Sequence, residues 1–131
     1  MRFRSLAIAL AVAALIGFAA STGCGKSSSS TSPGPGTVSE TFASGNLTAG
    51  VPFSHTFANA GTYAYRCTNH STSLTSGMVA TVTVDGASSV MLDSVLVGSG
   101  GNFFVPGNIT IAPSGTVKWK LVTGLHNVSR P

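Results

Sequence analysis

From residue 38 onward, no stretch repeats apolar residues at the three-and-four spacing of a helix for three turns. Short runs rich in β-branched and aromatic residues occur instead, at 53–57, 62–66, 79–84, 90–97, 108–112 and 117–122. Thr81-Val82-Thr83-Val84 and Val117-Lys118-Trp119-Lys120-Leu121 alternate polar with apolar. A period of two gives a strand one buried and one wet face. Asn59-Ala60-Gly61, Asp85-Gly86, the glycines of 98–101, Pro106-Gly107 and Pro113-Ser114-Gly115 supply turns between the runs. The pattern predicts an all-β sandwich or barrel. Phe42, Phe53, Phe57, Phe103, Phe104, Trp119 and Met91 are its expected core.

The first positions follow another rule. Arg2 and Arg4 precede an apolar run over 6–20, followed by Ser21-Thr22-Gly23-Cys24. A positive start, an apolar stretch too short to span a bilayer and small residues at its end predict a signal peptide over 1–23. Small residues directly before a cysteine resemble the bacterial lipoprotein box, which makes Cys24 the acylated residue. Cleavage near Ser21, leaving Cys24 as a free thiol, is the alternative. Residues 24–37 carry a Ser/Pro/Gly-rich stretch with nothing to pack, and are expected to tether a domain over 38–131 with a reach of roughly 20 Å.

Charge narrows the function classes. Without Arg2 and Arg4 the net charge falls from +4 to +2, and the remaining cations are scattered. No run of them tracks a phosphate backbone, so no nucleic-acid partner is expected. Glu40, Asp85 and Asp93 are the only acids, which disfavours hydrolysis by paired carboxylates. Asn46, Asn69, Asn108 and Asn127 each begin an Asn-x-Ser/Thr triplet, read as chance in a Ser/Thr-rich chain.

With Cys24 acylated, Cys67 is left without a disulfide partner in an oxidising compartment. Such a thiol is either buried and inert or chemically employed. Cys67 ends the 62–66 run, His70 follows three residues later, and Met78 stands just before the next run. A thiolate, two imidazoles and a weak thioether make a blue copper site. His55 and His126 are the candidates for the second imidazole. Each residue also has a plain structural alternative: His70 as a solvated loop residue, His126 as a turn residue, Met78 as core, His55 as a strand side chain.

Val51-Pro52-Phe53-Ser54-His55-Thr56-Phe57, then Gly61-Thr62-Tyr63-Ala64-Tyr65-Arg66-Cys67-Thr68-Asn69-His70, then Gly77-Met78 and the 79–84 run resemble the C-terminal half of a plastocyanin-type cupredoxin. Asn102-Phe103-Phe104-Val105-Pro106, Gly115-Thr116-Val117-Lys118-Trp119 and Leu125-His126-Asn127-Val128 resemble that family's N-terminal half. The resemblance implies a Greek-key β-sandwich and one copper ion per domain, with Cys67, His70, Met78 and His126 as its ligands. The halves stand in reversed order, so the chain resembles a circular permutant in which 85–89 bridges the family's usual termini. A tandem array that lost its outer halves is the rival account, and there the site could be completed by swapping between two copies. The 71–77 segment between His70 and Met78 is longer than usual in the family, which makes Met78 the weakest of the four assignments.

The implied function is a type 1 copper protein, not an enzyme, carrying single electrons between redox proteins of cytochrome or oxidase type in a bacterial envelope. It would be held there by its lipid anchor, at the outer membrane or periplasmic face, as a monomer or swapped dimer. Leu74 and Leu125 would line an apolar docking patch. The alternatives are a copper storage or delivery module and a non-metal sandwich.

Overall fold

A computed structural model describes residues 40–131. The leader over 1–23, the lipidation site Cys24 and the tether over 24–37 lie outside the described residues. The described chain forms nine strands and no helix: β1 (Phe42–Asn46), β2 (Phe53–Phe57), β3 (Gly61–Arg66), β4 (Val79–Val84), β5 (Leu92–Val97), β6 (Phe104–Val105), β7 (Asn108–Ile111), β8 (Gly115–Leu121) and β9 (Asn127–Arg130). They build two sheets, ordered β1-β9-β3-β4-β7 and β2-β8-β5-β6. Most neighbours are antiparallel, but β4 pairs with β7 and β5 with β8 in parallel. The expected all-β architecture is the observed one.

Alternation decides what each sheet buries. On β3, Tyr63 and Tyr65 point inward and are almost fully buried, and Cys67 continues the same face one step past the strand. On β8, Val117 and Trp119 point inward, while Lys118 and Lys120 do not. The two inner faces meet in a core centred on Trp119, whose ring lies edge-on to Tyr65 at 5.4 Å and tilted against Phe42 at 5.6 Å. Burial holds the Tyr65 phenol far above its usual pKa. Its hydroxyl and the Trp119 indole nitrogen both lack a hydrogen-bond partner.

Three strands were not expected. β1, β6 and β9 are short or polar, and they are strands because of their partners. β1 and β9 pair with each other, and β9 also meets β3 where Arg66 faces Ser129. Two core expectations are corrected. Met91 is 54% exposed and Phe103 60% exposed. Met91 precedes β5, where its carbonyl accepts the Thr116 N–H and its side chain faces solvent. Phe103 stands opposite Gly98 at the end of the β5–β6 pair, and alternation there sends Phe104 inward and Phe103 outward.

Residues 85–91 carry the chain from one sheet to the other through a compact turn. The Asp85 carboxylate accepts the Ala87 N–H at 2.9 Å, and the Ser88 N–H donates to the Asp85 carbonyl at 3.0 Å.

Candidate metal centre

Cys67 and His126 occupy matching positions on neighbouring strands. Cys67 follows β3 on the inward face set by Tyr63 and Tyr65. His126 precedes β9 on the inward face set by Val128. Both are buried, Cys67 completely and His126 to 3% exposure. His70, half-buried, reaches the same point from the β3–β4 loop. Its N–H donates to the Cys67 carbonyl at 3.1 Å, and its own carbonyl accepts the Met78 N–H at 3.2 Å. The Cys67 N–H in turn donates to the Met78 carbonyl at 3.0 Å, so the 71–77 loop closes at its base. The Ser71 hydroxyl, turned into the loop, meets the Ser73 and Ser76 carbonyls.

Cys67 Sγ lies 3.5 Å from His70 Nδ1 and 3.7 Å from His126 Nδ1. Among the described residues Cys67, His70 and His126 are the one group of this kind, with ligand atoms all within 4.8 Å of each other. The spacing fits a shared ion. Bonds of about 2.3 Å to sulfur and about 2.0 Å to nitrogen, opened to a tetrahedral or trigonal angle, separate the two atoms by roughly 3.5–3.7 Å. The two imidazole rings lie 4.7 Å apart and tilted by 49°.

Three further residues fix His126. Asn127 donates its N–H to Cys67 Sγ at 3.4 Å. Its side chain grips Thr68 twice, accepting the backbone N–H at 2.8 Å and donating to the hydroxyl at 2.6 Å. One residue thereby ties the β9 donor to the loop carrying the other two. Gly98 and Gly124 wall the ring. Both have positive φ, and a Cβ on either would come within 3 Å of the His126 imidazole. Sequence reasoning did not single these three out, although the position of Asn127 directly after a candidate ligand was the available signal.

Burial, and then the neighbouring His70, hold His126 below the usual imidazole pKa. A ring kept neutral is a ring available as a ligand.

The structure brings Cys67, His70 and His126 together and leaves His55 apart. His55 sits on β2, its Nε2 2.9 Å from Glu40 Oε1 and its ring stacked on Phe42 at 4.6 Å. Met78 is buried in the core beside the group and joined to it through its backbone. Of the expected patch residues, Leu125 is exposed and Leu74 half-buried.

No protein-family model matches the chain, and no curated protein or solved structure matches it.

Proposed function

We propose that residues 38–131 are a cupredoxin-type domain that holds one copper ion at Cys67, His70 and His126 and carries single electrons in a bacterial cell envelope. The observation that carries this reading is one buried sulfur facing two imidazole nitrogens at 3.5 and 3.7 Å. A thiolate with two imidazoles suits copper and excludes the oxygen-seeking cations. Copper bound there supplies a one-electron couple between Cu(I) and Cu(II).

The chain's own residues do the rest. β3 and β9 hold two donors on a rigid sheet, so that little moves when the charge at the site changes. The Asn127 N–H stabilises negative charge on the Cys67 sulfur. Burial of Cys67 and His126 excludes water from the donors, and half-buried His70 offers the edge through which an electron reaches a partner. Met78 would be the fourth and weakest ligand, its thioether tuning the potential of the bound copper. With Met78 as a fourth ligand the ion would be coordinatively filled, which is why the proposed reading is not enzymatic.

The permuted order belongs to the same proposal, and the compact, hydrogen-bonded 85–91 link between the sheets supports it. Export, acylation of Cys24 and envelope partners of cytochrome or oxidase type are further parts of the proposal.

The test is a visible spectrum of the Cys24→Ser chain with one equivalent of Cu(II), beside the same chain carrying Cys67→Ser or His126→Ala. An intense thiolate-to-copper band, lost in the first variant and altered in the second, supports the electron carrier. A colourless protein that holds copper loosely rejects it and leaves storage or delivery. A protein that holds no copper leaves a non-metal sandwich.

A further inference from the structure

The outer face of the β2-β8-β5-β6 sheet differs from the rest of the surface. Strand pairing sets Lys118 beside Ser94, Lys120 beside Leu96, and Leu96 beside Val105. Paired residues share a face, and Val95, Val97 and Trp119 take the inner one. Leu92, Leu96 and Val105 are therefore outward, at 56%, 40% and 42% exposure, and Phe103 extends the group at its edge. Single exposed apolar residues are ordinary, whereas a contiguous group of them marks a docking surface.

The charges indicate what docks. Among the described residues the one ion pair is His55–Glu40, so neither Lys118 nor Lys120 has an acidic partner. No carboxylate stands on this face. Glu40 is engaged by His55, Asp85 caps the 85–91 turn, and Asp93 is on the inner side, paired with buried Val117. A second copy of the face would set lysine against lysine. An anionic surface would neutralise both.

We propose that this face docks on an anionic phospholipid bilayer. Leu92, Leu96, Phe103 and Val105 enter the boundary between headgroups and acyl chains. Lys118 and Lys120 lay their stems along them and reach the phosphates.

The test uses residues 24–131 with Cys24→Ser, so that neither the apolar leader nor an acyl chain contributes, and needs no metal. Flotation is measured with vesicles of phosphatidylcholine alone and of equimolar phosphatidylcholine and phosphatidylglycerol. The chain is expected to float with the anionic vesicles, and raised salt is expected to release it. Lys118→Gln with Lys120→Gln weakens that binding roughly 25-fold at low salt, at about fivefold per lysine. Phe103→Ser weakens it independently, with an unchanged far-ultraviolet spectrum. Equal flotation with both vesicle types overturns the proposal, as does a double lysine variant that floats like its parent. A dimer in solution that Leu96→Lys dissociates also overturns it, since a second copy would then cover the face.

Discussion

The molecule holds two histidine-centred clusters within one sandwich, and they are built for opposite ends. At one, His126 is wedged between two glycines with its Nδ1 toward a buried sulfur, and a second imidazole closes in from a loop. At the other, His55 lies mid-strand, stacked on Phe42, edge-on to Phe57 at 4.8 Å, and joined to one carboxylate. The first cluster gathers three soft or borderline donors at the ends of strands. The second gathers one donor, one charge and a wall of aromatic rings within the packing. The difference shows that a histidine becomes a candidate ligand through convergence at strand ends, where loops bring in further donors. A histidine held between a carboxylate and packed rings stays a half-buried structural residue.

Exchanging each histidine for alanine breaks the comparison hardest. His126→Ala should weaken Cu(II) binding far more than 100-fold, because even partners that only orient a ligand are worth about 10–100-fold. His55→Ala should leave that affinity unchanged and cost roughly 2–4 kcal/mol of folding stability, through the lost stack on Phe42 and the stranded Glu40. Metal titration and urea denaturation of the same two variants read both halves. A His55→Ala chain that loses metal would end the distinction.

Next in size is Gly98→Ala. Its Cβ meets first the Thr123 carbonyl oxygen and then the His126 ring at 2.8 and 2.9 Å, on a backbone with φ of 78°. Strain of about 1–3 kcal/mol is expected, together with a shifted metal spectrum. The same change at Gly86, which meets nothing within 4 Å, should leave the spectrum untouched.

Asn127→Ala removes both bonds to Thr68 and keeps the N–H to the sulfur. It should weaken metal binding about 10-fold, with the absorption band retained, as titration would read.

The smallest effect is in pH. The His126 pKa is lowered in the folded chain, so the unfolded chain binds more protons as pH falls past about 6.5. The stability due to the neutral ring is fully present above that value and is lost as pH falls through the depressed folded one. The urea midpoint of the metal-free chain should therefore drop between pH 7.5 and 5.5, and His126→Gln should flatten that drop.

The amino-acid pattern alone determined the all-β class and six of the nine strands, because alternation and turn residues are local properties. It also marked Cys67 and His70, three residues apart at a strand end, as a pair able to converge. β1, β6 and β9 escaped it because they are strands only through their partners. Met91 and Phe103 were assigned to the core because hydrophobicity reports what a residue would prefer to bury, whereas topology decides which face of a sheet is covered. Most of all, the pattern could not by itself bring His126 to within 3.7 Å of a sulfur 59 residues away. That distance follows from β9 lying beside β3, from Asn127 holding Thr68, and from two positions without side chains that leave room for the ring.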